Sequence, residues 1–427
     1  MLGVLIVAAI LWITEPIPLA VTGLFIMILQ PLLLIMPAQD VFYSFGNQAV
    51  FFLIGAFIIA AAIEKHGLHR RIALGFLKRF ENSPRSFTFG IMLSSALLSF
   101  IMPEHGVAAL FVPIVASILI AMRVTPRESN FGKISMLAVA YGCSIGSLGT
   151  LIGGARNPLT VGELAHVGIT VGFFEWMIMS IPVVLIALPI VWIILQIAYP
   201  IEIKDIGMAK QEIEQQVMVQ GTISNNEIKV SLILAFTILL WVLFSQYTYF
   251  GLASIALLGG MLLFLTDTVS WKDVERRIPW GIILLYGGAI TLGVGMNATG
   301  AGTWLATLLL SNVYGNPYMI MLAIISITVL LTNMMSNTGA VAVILPIGLA
   351  IAPEIPGISQ LLAAMLIALA GGLAFIFVIA TPANAIAYSS GYFSMRDLAK
   401  TGVVANLLCI VILFSVAVFY WKGVLGL

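Results

Sequence analysis

Residues 318–352 read YMIMLAIISITVLLTNMMSNTGAVAVILPIGLAIA, an apolar run broken at its centre by Ser336-Asn337-Thr338-Gly339. Each arm beside the break has roughly 15 residues, and at about 1.5 Å rise per residue it falls short of a ~30 Å hydrocarbon core. Two simple crossings would need more chain. The flanks decide the question, because segments 297–317 and 353–359 contain no Lys or Arg. Basic residues mark the cytoplasmic side of a membrane protein, so the run enters and leaves on the outer face and predicts a re-entrant hairpin.

The same test applies to residues 87–122, broken at Met102-Pro103-Glu104-His105-Gly106. Segment 64–86 holds Lys65, Arg70, Arg71, Lys78, Arg79 and Arg85, and segment 123–133 holds Arg123, Arg127 and Lys133. Both flanks are basic, so this hairpin opens to the cytoplasm. Segments 199–229, 267–280 and 396–400 carry Lys204, Lys210, Lys229, Lys272, Arg276, Arg277, Arg396 and Lys400, which brings 17 of the 19 basic residues to one face. Full crossings are expected at 2–14, 18–36, 48–63, 133–152, 172–198, 228–245, 250–266, 280–296, 360–379 and 401–421.

Composition agrees with this reading. Of 427 residues, 61% are hydrophobic and 9% charged, against about 25% charged in an average soluble chain; the mean hydropathy is +1.12. The chain is therefore expected to be an all-α polytopic membrane protein, multi-pass in the inner (plasma) membrane of a prokaryote. It lacks the basic face of a nucleic-acid binder. Cys143 and Cys409 lie in apolar stretches and suggest no disulfide framework. There is no G-x-x-x-x-G-K-[ST] loop for ATP and no H-E-x-x-H zinc motif, so neither an enzyme nor a cofactor is expected.

An internal repeat sets the architecture. Leu53-Ile54-Gly55-Ala56 returns as Leu285-Tyr286-Gly287-Gly288, Phe111-Val112-Pro113-Ile114 as Ile344-Leu345-Pro346-Ile347, and Gly153–Asn157 aligns with Ala380–Asn384. Because the hairpins do not cross, crossing 280–296 runs opposite to 48–63, and the repeats are inverted. Inverted repeats with interrupted helices are the pattern of secondary transporters. Two hairpin tips and two loops, near 142–157 and 379–384, are expected to meet near mid-depth in a polar site. Helix N-termini at that depth attract anions, and exposed carbonyl ends suit Na⁺.

At these residues the chain resembles the divalent anion/sodium symporter family, which carries dicarboxylates, citrate or sulfate. The resemblance rests on Trp12-Ile13-Thr14-Glu15-Pro16-Ile17-Pro18-Leu19-Ala20-Val21-Thr22, on Ser336-Asn337-Thr338, and on Ala380-Thr381-Pro382-Ala383-Asn384-Ala385-Ile386, and it spans nearly the whole chain. It implies a homodimer working as an elevator. Scaffold helices would fall at 1–63 and 230–296, a cytoplasmic interfacial arm at 64–86, and a cytoplasmic linker at 199–229. A transport domain would comprise 87–198, with the inward-opening hairpin 87–122, and 318–421, with the outward-opening hairpin 318–352.

The resemblance also implies that Ser336, Asn337, Thr338, Thr381 and Pro382 touch the anion, with Asn157 on the facing loop. Thr332, Met335, Asn337 and Ala380 would form one Na⁺ site, and Ser99, Glu104 and Gly153 its first-half counterpart. Two departures stand out. The family usually has a crossing before the one with Trp12, and here residue 1 falls outside. The first-half tip, Ser-Asn-Thr in the family, is Pro103-Glu104-His105, and the loop usually read Gly-Thr-Pro-Pro-Asn is Gly153-Gly154-Ala155-Arg156-Asn157. One tip gains a carboxylate and the facing loop a guanidinium.

A buried charge wants a partner, so Glu104 and Arg156 are expected to pair, the guanidinium standing near the first sodium position. The alternative puts Arg156 shallower, toward outer water, with Glu104 itself a Na⁺ ligand. His105 is expected to donate a hydrogen bond to substrate; proton coupling through Glu104 and His105 is the other option. The expected function is Na⁺-driven uptake of small divalent anions, C4-dicarboxylates first. Sulfate or citrate symport, exchange, H⁺-coupled transport and cation–proton antiport are the alternatives.

Overall fold

Proline and a preceding cap start each hairpin at equivalent places. In the computed structural model, which describes residues 1–247, 249–302, 304 and 316–427, one hairpin pairs helix Pro84–Leu98 with Glu104–Ala121 and the other pairs Pro317–Met334 with Asn337–Ile351. Ser83 Oγ accepts from the Ser86 N–H at 3.1 Å, and Asn316 Oδ1 from the Tyr318 N–H at 3.0 Å. Pro84 and Pro317 occupy the first helical turn, where a missing N–H costs nothing. Pro113 and Pro346 lie inside the returning arms at matching positions. The Asn337 amide lies 3.4 Å from a Glu104 carboxylate oxygen, so the hairpins meet tip to tip and neither passes the other. The expected outer connection 297–317 lies in part outside the described residues.

Two helices are broken where the repeat predicted loops. Helix Asn130–Gly146 resumes as Arg156–His166, and Gln360–Ala370 resumes as Pro382–Ser389. The expected crossings 133–152 and 360–379 are thus not continuous helices, and the second break begins at Gly371, earlier than the expected 379–384. Hydropathy missed the stop because Leu373–Ala380 stays apolar after the helix has ended.

What makes such breaks tolerable is a pair of asparagines. Asn157 Nδ2 donates to the carbonyls of Ser147 and Thr150, at 2.8 and 2.6 Å. Asn384 Nδ2 donates to those of Ala374 and Phe377, both at 3.0 Å. The donors and the acceptors of the two clamps stand at the same spacing in the two halves. Carbonyls released from helical pairing at mid-depth need a protein donor, and one side chain per half supplies two.

The remaining helices cross through small residues. Leu19–Leu32 packs on Trp280–Ala298, and Gln48–Lys65 packs on Gly251–Leu265. A Cβ on Gly288 would overlap Gly23, and one on Gly55 would overlap the backbone of Ala256; the two contacts are related by the repeat. Close backbone approach through small residues is how membrane helices gain packing energy without a hydrophobic drive. Lys65 ends one member of the repeat, while Arg276 and Arg277 precede the start of the other, so the halves run in opposite senses.

Several boundaries differ from expectation. The span read at 18–36 is helical only over Leu19–Leu32, and the outer connection 37–47 contains helix Ala38–Phe45. Helix Leu68–Leu77 forms the inner arm, Gly207–Gln220 forms the linker, and the following crossing starts at Asn225. The linker docks by Gln216, whose amide donates to Ser117 Oγ at 2.6 Å.

Candidate functional site

Both hairpin tips and both breaks face a cavity of about 390 Å³. Its polar wall holds Glu104, His105, Gly153, Arg156, Ser336, Asn337, Thr338 and Pro382, all singled out from sequence. The opposite wall is apolar, with Leu53, Phe57, Ile282 and Leu285; Leu53 and Leu285 are the repeat-related residues noted above. Pro18 and Pro279, at the starts of Leu19–Leu32 and Trp280–Ala298, line one end. Pro279 follows Arg276 and Arg277, so the cavity reaches toward the basic face.

Helix Asn337–Ile351 points its N-terminus into this space. Ser336 Oγ caps the Gly339 N–H at 3.2 Å. The N–H groups of Asn337 and Thr338 have no acceptor among the described residues, as expected for the first turn. With the partial positive charge of the helix end, they form an anion-binding pole. Thr381 and Asn157 do not line the cavity. Thr381 is buried and caps Asn384 N–H at 3.0 Å, and Asn157 is spent on its clamp.

Behind the second tip, oxygens converge. Thr332 Oγ1 lies 2.8 Å from Asn337 Oδ1 and 2.6 Å from the Gly371 carbonyl. The Asn337 amide also approaches the Ala380 carbonyl at 3.2 Å and that of Gly371 at 3.3 Å. With its oxygen turned inward the amide completes a cage of hard oxygen donors. With its nitrogen turned inward the same contacts become hydrogen bonds. Glu104 bears on the choice, because the outward amide atom faces its Oε1, and an ionised carboxylate prefers the NH₂ group there. Met335 is buried at the same tip, where its carbonyl rather than its thioether suits a hard cation. Gly371 was missed from sequence; the helix stop at a Gly-Gly pair was its only signal.

The first-half counterpart is not assembled as a cage. Ser99 Oγ donates to the Ser95 carbonyl at 2.9 Å, and the Gly153 carbonyl accepts from the Glu104 N–H at 3.1 Å. The Ser144 carbonyl accepts from Ser147 Oγ at 2.7 Å. Oxygens that could have faced a cation have protein donors instead.

The expected direct pair between Glu104 and Arg156 is absent: no ion pair within 4.0 Å joins them. Arg156 begins its helix, and its side chain reaches back across the break to donate from Nη2 to Ser147 Oγ at 2.7 Å. Ser147 was not singled out from sequence. The guanidinium lies between Gly154 and Gly372, where a Cβ on either would strike it. Nor does Arg156 face outer water, since it is 1% exposed. Glu104 Oε2 and Arg156 Nε have no hydrogen-bond partner, while both residues line the cavity. His105 lines it too, and its imidazole has no hydrogen-bond partner among the described residues.

A family described as "Sodium:sulfate symporter transmembrane region" matches residues 1–427. Among curated proteins, the sodium-dependent dicarboxylate transporter SdcS of Staphylococcus saprophyticus is 30% identical over 441 residues, covering 97% of this chain and 85% of the relative. The SdcS protein of Staphylococcus aureus is 30% identical, with 97% and 84% covered. Among solved structures, Neisseria gonorrhoeae MtrF, described with a class of antimetabolite efflux pumps, superposes with a TM-score of 0.63 at 13% identity, over 91% of this chain and 84% of that one. The Alcanivorax borkumensis YdaH transporter gives 0.61 at 13% identity, over 90% and 88%. These two likenesses show the fold.

Proposed function

Because the chain belongs to the sodium:sulfate symporter family of membrane transporters, we propose that it takes up small divalent anions, C4-dicarboxylates first, driven by Na⁺. The observation that carries this reading is the pairing of two anion-attracting poles on one cavity. The N-terminal turn at Ser336–Thr338 holds one carboxylate through hydroxyl, amide and backbone donors. Arg156 and His105 meet the other. The 30% identity to dicarboxylate transporters supports the same substrate class.

Sodium binds first, in the cage of Thr332, Asn337, Gly371 and Ala380. Glu104 holds the Asn337 amide with its oxygen toward the ion, so loading the cage and presenting the tip are one event. The first-half oxygens are already hydrogen-bonded, and Arg156 supplies fixed positive charge in that half. Coupling therefore runs through the second-half cage. The polar wall, carried by hairpins and broken helices, slides as a unit past the apolar wall of scaffold helices, an elevator built as a homodimer.

Thermal-shift measurements on the purified protein test this reading. Succinate, malate, citrate and sulfate are each added with Na⁺, Li⁺ or choline. A ligand at a hundred times its Kd stabilises by about 2.7 kcal/mol, and that stabilisation is expected with dicarboxylate only in Na⁺. Stabilisation by sulfate alone moves the substrate to an oxyanion. Stabilisation by Na⁺ with no anion effect defeats the symport reading in favour of a cation antiporter.

A further inference from the structure

A second carboxylate lies buried outside the cavity, about two helical turns beyond Arg156. Glu163, on helix Arg156–His166, is 3% exposed, and its Oε1 has no hydrogen-bond partner. No Lys, Arg or His lies within ion-pair distance of it among the described residues. The carboxyl fits against Gly293 of helix Trp280–Ala298, where a Cβ would lie 2.8 Å from its Cδ. An ionised carboxylate with neither countercharge nor donor is among the costliest groups to hold at this depth.

The surroundings offer nothing to neutralise it. On helix Trp280–Ala298 the titratable neighbour is Tyr286, seven residues before Gly293 on the same face and beside Leu159 and Arg156. Helices Asn337–Ile351 and Gln360–Ala370, packed on the same element, contain no titratable residue. On Gln48–Lys65 the charged residues are Glu64 and Lys65, at the far inner end. On its own helix, Arg156 is taken up by Ser147, and His166 Nε2 contacts Asn47 Nδ2 at 3.0 Å.

One side does lead to water. A crevice of about 280 Å³ is lined by Asp40, Asn47, His166 and Val294. His166 is one helical turn beyond Glu163, and Val294 directly follows Gly293. These residues lie at the face without basic connections, which is the outer one. A displacement of helix Arg156–His166 by about one turn, ~5 Å, toward that face would bring Glu163 level with the crevice.

We propose that Glu163 is a proton-binding site on the seam between helices Arg156–His166 and Trp280–Ala298, filled from the outer crevice. The inference rests on the sliding motion proposed above. At the crevice the carboxylate takes one proton from outer water, and the neutral acid then seats against Gly293. Return to the crevice releases that proton to the same side. In the seated position Glu163 does not line the cavity that reaches toward the basic face, so outer acidity gates the motion without net proton transfer.

The test places spin labels on helix Asn225–Phe244 and on hairpin arm Pro84–Leu98 of the full chain in lipid nanodiscs; native Cys143 and Cys409 are buried. One linked proton changes the ratio of the two populations by at most about tenfold per pH unit. The population with the inter-label distance of this structure is expected to fall toward that limit as pH rises from 5 to 8. Glu163→Gln should hold the acid-side population at every pH, and Glu163→Leu, neutral and of similar volume, should do the same. A wild-type pH response retained in both variants overturns the proposal, as does a wild-type distribution independent of pH. Succinate uptake by the same preparations separates the two readings: absence of uptake counts against the substrate class, while the distance response still decides Glu163.

Discussion

Glu104 is where the charge pattern of the sequence and the geometry of the site part company. The sequence showed a carboxylate at one tip and a guanidinium on the facing loop, and complementarity suggested a pair. The structure spends Arg156 on Ser147 and turns Glu104 toward Asn337. Rotamer reach across a break decides such a matter, and no sequence pattern encodes it. The consequence is testable in cation affinity. Glu104→Gln removes the charge that orients the Asn337 amide. A hydrogen bond to a charged group is worth about 1.5–3 kcal/mol, so half-saturating Na⁺ should rise by about tenfold or more in Na⁺-dependent thermal shifts. An unchanged Na⁺ midpoint would remove Glu104 from the coupling. Arg156→Lys keeps the charge but loses the planar fork. It should raise the KM for dicarboxylate by about tenfold while leaving the Na⁺ midpoint in place, read from uptake into proteoliposomes.

Among the helices, the hairpins were legible because two independent signals agreed, a polar break inside each apolar run and flanks of one charge class. Arm length was no such signal, since Glu104–Ala121 and Pro317–Met334 run to 18 residues, longer than the roughly 15 expected and long enough to cross. The Ser336-Asn337-Thr338 tip was legible from its polarity inside an apolar run. The breaks were only half legible. Gly371-Gly372 ends a helix, but the extended residues after it are as apolar as those before, and hydropathy measures side chains rather than backbone pairing. The small outer helix Ala38–Phe45 carries no apolar run, so hydropathy gives no sign of it. The clamps make a prediction at this scale. Asn384→Ala leaves two carbonyls without a donor, and each buried unsatisfied group costs about 1–3 kcal/mol. Thermal stability should fall accordingly, and Asn157→Ala should cost a similar amount, because the two clamps are equivalent. A large loss in one and none in the other would show that the halves have diverged in what holds them.

For the molecule as a whole, the sorting of 17 basic residues to one face fixes the orientation of every element. Gln39 and Lys78 are both exposed, and the charge sorting assigns them to opposite faces. A cysteine at Gln39 should react with a membrane-impermeant maleimide in intact cells, and one at Lys78 only after permeabilisation. Reversed labelling would turn the whole assignment over. The crossings carry a second prediction. Gly288→Val should lower stability more than a substitution at exposed Gly75, where a Cβ meets nothing within 4 Å, because Gly288 shares its space with the backbone of Gly23.

The asparagine clamps bear finally on speed. Since each break is closed by its own half of the chain, its polar backbone makes no demand on whatever surface lies opposite. That surface, at Leu53, Phe57, Ile282 and Leu285, offers only side chains without donors or acceptors. At the cavity, the proposed shear between the two walls therefore ruptures no hydrogen bond and meets only hydrocarbon friction; the resistance sits at the outer end, where His166 Nε2 contacts Asn47 Nδ2 at 3.0 Å.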